Sequence, residues 1–243
     1  MAFARGQYLI SSAFKPDAEI DFASYPFNIP AVKALGDLQF HPKVTFFVGE
    51  NGAGKSTVLE ALAMALGYGP EGGTKNVQFS TTDSVSPLHA ALRLGRGRKP
   101  ADGYFLRAES FFNVATYMDQ VGYLAGYGGK SLHKRSHGES FLTLLVHKFR
   151  GKGLYLLDEP ESALSPTRQM AALRAIHQLV CDDSQFIIAT HSPILLSYPE
   201  AMLLHFDDTG ISPIGYEQTR HFTVTRDFLN NYPRRIEMLF SDD

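Results

Sequence analysis

The sequence predicts an α/β fold, a mainly parallel sheet covered by helices on both faces. The first observation is a set of three apolar runs: Val44-Thr45-Phe46-Phe47-Val48, Leu154-Tyr155-Leu156-Leu157 and Phe186-Ile187-Ile188-Ala189. They lack the polar alternation of half-exposed strands, which marks them as strands buried on both sides. The second is that strands of this kind alternate along the chain with segments of helical spacing, the order that gives parallel sheets.

Taken in order, Tyr8 to Phe14 reads as a strand, and Tyr25-Pro26-Phe27-Asn28-Ile29-Pro30 as a connector too rich in proline for a helix. Val44 to Val48 is a buried strand. Lys55 to Leu66 is a helix with Leu59, Leu62, Ala63 and Leu66 on one face, stopped by Gly67. Gly69 to Pro87, rich in Gly, Thr and Ser, reads as a surface excursion. Leu88–Leu94 and Tyr104–Glu109 read as strands flanking a basic loop. Phe111 to Lys134 holds a short aromatic helix and a glycine-rich turn over Gly122–Gly129. Glu139 to Phe149 is a helix with Phe141, Leu144, Leu145 and Phe149 inward.

Leu154 to Asp158 is a central parallel strand, and Ser165 then caps a helix opened by Pro166, with Leu173, Ile176 and Val180 as its buried stripe. Phe186 to Thr190 is a second central strand. A short helix, an edge pair near Met202–Phe206 and Ile211–Tyr216, and a helical tail from Thr225 to Phe240 complete the chain.

The bulk properties bound the function. The 243 residues suit one domain, with a short inserted helical region near 110–140 and the tail near 220–243. A hydrophobic content of 44% and a charged content of 20% are those of an ordinary globular chain. Met1-Ala2-Phe3-Ala4-Arg5 does not read as a secretory signal, and no apolar run reaches the roughly 18 residues that span a bilayer, so no membrane insertion is expected. The single Cys181 excludes an intrachain disulfide and fits a reducing compartment, so the expected location is cytoplasmic. A net charge of -2 argues against a chain wrapped in nucleic acid over its whole surface. Two basic patches remain. Arg93, Arg96, Arg98 and Lys99 read as a solvated loop, whereas Lys130, Lys134 and Arg135 suit either solvent or a phosphate or partner contact.

The chemistry lies at the strand ends. Gly49-Glu50-Asn51-Gly52-Ala53-Gly54-Lys55-Ser56-Thr57, between a strand and a helix, is a Walker A phosphate cradle. Its glycines let successive N–H groups face inward, and the helix N-terminus adds about half a positive charge. Lys55 reaches the β- and γ-phosphates of ATP, and the Ser56 hydroxyl takes a place on Mg²⁺. Asp158, at the carboxyl end of its strand, holds the same metal through water, and Glu159 on the following turn takes a proton from the attacking water. His191 ends the next strand and is placed to sense the γ-phosphate. The other eight of the nine histidines form no recognisable pattern, and no metal-ligand spacing is present.

With Ser136-His137-Gly138-Glu139 and the turn Ser162-Ala163-Leu164-Ser165 in their places, the order of motifs resembles the ATP-binding cassette (ABC) class of P-loop ATPases. Within it, the closer likeness is to the branch holding SMC and RecF proteins and OLD-like AAA-family ATPases. It covers about residues 40–200, and the terminal elements look similar to small stand-alone bacterial members. The resemblance implies an ABC-ATPase-like domain with a small antiparallel N-terminal part and a short inserted signature subdomain. It also implies a homodimer that sandwiches ATP between one chain's Walker loops and the other's signature. By position, Ser136, Gly138 and Glu139 match the signature and Ser162 the D-loop.

Three departures stand out. His137 replaces a signature glycine, Glu139 replaces a glutamine, and Phe141-Leu142-Thr143-Leu144 stands where transporter subunits carry a basic helix start. The Mg²⁺-sensing glutamine has two candidates, Gln78 and the preferred Glu109, and Tyr25 or Phe27 lies where an aromatic would stack on adenine. Three roles remain open for the switch: a DNA-linked or defence-type process with DNA or an effector protein as partner, a regulatory binding module with little turnover, and a transporter's soluble subunit.

Overall fold

Unbroken apolar strands need protein on both sides, and the fold supplies it. The computed structural model describes residues 7–75, 86–111, 113, 114, 116 and 137–241. The first part of the chain forms β1 (Leu9–Phe14), α1 (Pro30–Lys33), β2 (Leu38–Gln39), β3 (Val44–Gly49) and α2 (Lys55–Ala65). Then come α3 (Leu88–Ala91), β4 (Leu92–Arg96), β5 (Asp102–Arg107) and α4 (His137–Thr143). The last part holds β6 (Gly153–Asp158), α5 (Pro166–Cys181), β7 (Gln185–Ala189), α6 (Pro193–Leu196), β8 (Met202–Asp207), β9 (Gly210–Pro213) and α7 (Arg220–Phe240).

The main sheet has six strands in the order β5-β6-β7-β3-β8-β9, all parallel except the edge strand β9. A second, antiparallel sheet, β2-β1-β4, comes from the N-terminal part. Successive side chains of β3 and β7 point to opposite faces and so enter different cores. Phe47 and Ile187 pack with Val58, Leu59 and Leu62 of α2. Phe46 and Ile188 pack on the other face with Ala172 and Ile176 of α5, Leu195 of α6 and Phe141 of α4. Each such large side chain taken from water contributes about 1.5–3 kcal/mol.

One polar residue in this apolar frame joins the two sheets. The amide of Gln185, fully buried at the start of β7, accepts from the backbone N–H of Tyr8 (3.0 Å) and Leu9 (2.9 Å). It also donates to Leu9 O at 2.8 Å and His41 O at 3.0 Å. All its bonding capacity on both ends is used, so its burial carries no desolvation penalty.

Several elements differ from the sequence expectation. Leu88–Leu94 is not one strand: Leu88 and Ala91 are buried on the single turn α3, and the strand begins only at Leu92. Apolar residues at 88, 91, 92 and 94 satisfy both periodicities, and packing of α3 on α2 decides between them. The strands on either side of the basic loop belong to different sheets. Gly69 to Pro87 is not wholly a surface excursion. Gly72 and Gly73 are buried, and Gly73 bridges Phe105. A Cβ at Gly72 would come within 2.7 Å of Phe105 O, at a φ of +95°, so this turn admits only glycine.

The helix expected over Glu139–Phe149 ends as α-helix at Thr143 and widens to a π turn over Leu144–Lys148. Phe141, Leu144, Leu145 and Phe149 are nonetheless all buried. The buried stripe of α5 is Ala172, Ala175 and Ile176, with Leu173 and Val180 only half-buried. The helical tail starts at Arg220 rather than Thr225, capped by the Thr219 side chain. It kinks at Asn231, φ -127°, just before Pro233. Among the described residues no helix is long and apolar enough to cross a membrane.

Candidate functional site

The site lies at the carboxyl edge of the main sheet, where β3, β6 and β7 end side by side. Leaving β3, the chain turns sharply at Gly52 (φ +79°) and Gly54 (φ +94°), and Gly54 caps α2 in the left-handed conformation. A Cβ on Gly54 would lie 2.9 Å from Ile29, and one on Gly49 2.3 Å from Phe206 O, so both spacings require the missing side chain. Ala53 closes the turn through its N–H to Glu50 O at 3.3 Å. Asn51, Gly52, Gly54, Lys55, Ser56 and Thr57 line a cleft of about 400 Å³, with Glu109 and Glu159 on its wall.

Lys55 is buried, and its ammonium donates to Gly49 O (2.8 Å) and Glu50 O (2.9 Å). Burial lowers its pKa, and Glu159, Asp158 and Glu50 oppose the shift. The Ser56 hydroxyl donates to Asp158 Oδ1 at 2.9 Å. Burial pushes Asp158 up to about 7, against the Ser56 hydrogen bond and Arg107, so this carboxylate favours a proton or a cation. A hydroxyl and a carboxylate in contact at a phosphate cradle are the hard oxygens that suit Mg²⁺.

Glu159 occupies the left-handed region at φ 48°. Its N–H is fixed by Ala189 O at 2.9 Å, and its side chain is 44% exposed. Ser162 faces the same turn and donates to Glu159 O at 2.9 Å. His191 follows β7 and is held from two sides. The carboxylate of Glu161 accepts its backbone N–H at 2.6 Å, and Nδ1 lies 2.8 Å from Nε2 of His221. His191 Nε2 is 3.7 Å from Glu159 Oε1. Burial lowers the pKa of both imidazoles, with Lys55 contributing at His191 and the neighbouring His191 at His221, so each ring favours its neutral form.

Neither Glu161 nor His221 stands out in the sequence. Glu161, whose pKa burial raises, gives only the faint signal of a second carboxylate after Asp158-Glu159-Pro160. His221 gives none.

Other expectations are corrected or bounded. Glu109 does not end a strand: β5 stops at Arg107, and Glu109 sits on the turn beyond, its side chain 83% exposed and 3.3 Å from Arg107. Arg107 is held more closely by Glu60, at 2.6 Å. Gln78 and Ser136 lie outside the described residues, as do Lys130, Lys134, Arg135 and most of the inserted region. Gly138 packs on the Ser162 turn, where a Cβ would meet Ala163 O at 2.6 Å, and Glu139 pairs with Arg168 of its own chain at 3.3 Å. Tyr25 is 67% exposed and lines the cleft, whereas Phe27 is buried in the core. In the first basic patch Arg98 pairs with Asp183 at 2.6 Å and Arg96 donates to Ala65 O.

Comparison with known proteins places this geometry. A family model described as AAA domain matches residues 20–100. A second AAA domain model, whose description also names AbiEii toxin and Type IV TA system, matches residues 138–197. The hemin import ATP-binding protein HmuV of Pseudomonas fluorescens (strain Pf0-1) is 30% identical over 177 residues, which is 63% of this chain and 69% of that protein. A metal-chelate type ABC transporter solved in an inward-facing conformation aligns at a TM-score of 0.51 with 15% identity, covering 90% of this chain and 88% of that one. The SMC head domain from Thermotoga maritima aligns at a TM-score of 0.46 with 15% identity, covering 86% of this chain and 100% of that one. The chain belongs to the ABC-class P-loop ATPases.

Proposed function

We propose that this chain binds ATP with Mg²⁺ and hydrolyses it, two copies closing on the nucleotide and reopening afterwards. One observation carries the proposal: Lys55, the Ser56–Asp158 pair and Glu159 converge on one cleft at the end of the parallel sheet. Mg²⁺, when bound, supplies charge neutralisation between the phosphates. Lys55 and the N–H groups of residues 51–57 bind the phosphate chain. Ser56 and Asp158 are the residues that would hold the metal, and the ionised Asp158 carboxylate would supply the negative charge for it. Glu159, half-exposed and adjacent, orients a water and takes its proton. His191 is the residue placed to contact the terminal phosphate, and Ser136, Gly138, Glu139 and Ser162 supply the surface for the second copy.

Glu159→Gln tests the chemistry. It keeps ATP binding, lowers turnover on the order of 10²-fold or more, and accumulates a dimer on size-exclusion chromatography. Parental turnover in this variant refutes the role of Glu159. Lys55→Ala removes tight ATP binding in a titration, and near-normal affinity places the phosphates elsewhere.

The work the cycle drives is a DNA-linked or defence-type process, in the cytoplasm, with DNA or an effector protein as partner. Two features support this: the second family model, with its toxin description, and the apolar Phe141-Leu142-Thr143-Leu144 after the signature. A second reading, the soluble subunit of an importer, is favoured by the hemin-import relative. ATPase rates with and without duplex DNA over a salt series separate them. Stimulation that fades steeply with salt supports phosphate-backbone contact, and no DNA effect at low salt refutes the first reading.

A further inference from the structure

We propose that His221, at the start of α7, is a positioning residue for His191: it fixes the imidazole tautomer so that a hydrogen on His191 Nε2 faces the site. The inference rests on the reading of His191 as the group that meets the terminal phosphate. The two rings meet edge to edge, Nδ1 of His191 to Nε2 of His221 at 2.8 Å, with ring centres 5.0 Å apart. Burial disfavours charge on either ring, so both are neutral and one hydrogen lies between them.

Only two arrangements exist, and the surroundings choose. If His191 Nδ1 carried the hydrogen, His191 Nε2 would turn a bare lone pair towards the Glu159 carboxylate 3.7 Å away. His221 Nδ1, which like His191 Nε2 is buried without a hydrogen-bond partner, would then carry the orphaned N–H. If His221 Nε2–H donates instead, His191 carries its hydrogen on Nε2, 3.7 Å from the Glu159 carboxylate and outside direct hydrogen-bond range. Each arrangement thus leaves one buried N–H without a direct hydrogen-bond partner, and the Glu159 carboxylate favours the one that sets that N–H beside it.

The backbone of His191 is fixed independently by Glu161, which leaves the ring's rotation and tautomer to His221. His221 in turn sits in the first turn of α7, directly after the Thr219 cap and Arg220, whose exposed side chain pairs with Glu50 at 3.4 Å. The N-terminus of α7 is thereby tied to the phosphate loop on one side and to the strand-end histidine on the other.

The test uses ¹⁵N-labelled, nucleotide-free protein and long-range ¹⁵N–¹H correlation of the imidazoles, which reads the protonated nitrogen without any turnover. The expected result is His191 protonated at Nε2 and bare at Nδ1, with His221 also protonated at Nε2. In His221→Phe, His191 should populate both tautomers. Turnover then falls about 10- to 100-fold with ATP affinity kept, as for a group displaced from its reacting position. His221→Gln, whose amide nitrogen donates from the same place, restores most of the rate. In a His191→Ala background His221→Phe has no further effect.

A wild-type His191 protonated at Nδ1, or a His221→Phe enzyme with parental turnover, overturns the inference and leaves the ATPase reading standing. Wild-type protein that hydrolyses no ATP refutes the ATPase reading, while the spectra still decide the tautomer.

Discussion

Asp158 sits in an environment far from that of a free carboxylate. Its folded-state pKa of about 7 lies above the ordinary 3.8, so the folded protein disfavours the ionised form. The stability present below pH 3.8 is therefore lost progressively as pH rises towards 7 and is fully lost above it. In metal-free, nucleotide-free protein, Asp158→Asn should unfold at higher urea than the parent at pH 8, and the gain should shrink markedly at pH 5. At about 1.4 kcal/mol per pKa unit, the change across that window is a few kcal/mol. Equal gains at both pH values would show that Asp158 stays ionised in the folded metal-free state. Addition of Mg²⁺ with nucleotide should reverse the order, since the cation needs the charge that burial opposes.

Legibility at this scale followed from how local each signal is. Gly54, Lys55 and Ser56 owe their positions to a turn and a helix start encoded within nine residues, so those positions are readable from spacing alone. Asp158 and Glu159 were readable because a polar pair ends an apolar strand. Glu161 and His221 take their places only when β7 and α7 close over them, and nothing in their own neighbourhoods announces it. Glu109 marks the opposite case, a residue counted into a strand that the chain leaves two positions earlier.

Among the α-helices, α7 carries the least packing. No residue of its 21 is buried, and Val224, Leu229, Tyr232 and Leu239 are exposed. Its hold on the domain is concentrated in the first turn. Thr219 there is buried, accepts the Phe222 N–H at 3.3 Å and donates to Tyr216 O at 2.8 Å. Thr219→Ala should remove the cap at a cost of about 1 kcal/mol, raising the opening of residues 220–225 roughly fivefold by amide hydrogen exchange. Exchange in β3 and β7 should not change. If the whole molecule exchanged faster, the cap would be part of the global fold rather than a local clasp. The tail's helical character is legible in the sequence, but its start at Arg220 is not, because capping by Thr219 depends on the preceding 3₁₀ turn, Tyr216–Gln218. The Leu88–Ala91 turn was missed for a related reason: four residues are too few for periodicity to separate a helix from a strand, and contact with α2 settles the matter.

For the molecule as a whole, the proposed closing of two copies makes a prediction that no single chain can satisfy. Lys55→Ala breaks the Walker half of a site, and Ser136→Arg breaks the signature half. Each variant alone should be nearly inactive. In a mixed dimer one site carries both lesions and the other carries neither, so mixing the two should restore part of the activity, measured as ATP turnover after subunit exchange. A mixture that exchanges subunits and stays inactive would mean that each chain hydrolyses ATP by itself. Gly138 packs against Ala163 of its own chain, where a Cβ would meet the Ala163 carbonyl oxygen at 2.6 Å.

The strand order has a consequence for synthesis. The phosphate loop is among the first parts of the site to leave the ribosome, but β3 obtains neighbours only from β7 and β8, where Val44 pairs with Phe186 and Thr45 with Met202. Gln185 adds a clasp to Tyr8 across 177 residues of chain. Contacts so distant in sequence form late and slowly. A nascent chain therefore carries Lys55 on an unpaired strand until nearly all of the domain has been made, and the ability to grip a nucleotide is the last property it acquires. Chains broken off before the eighth strand are born without it.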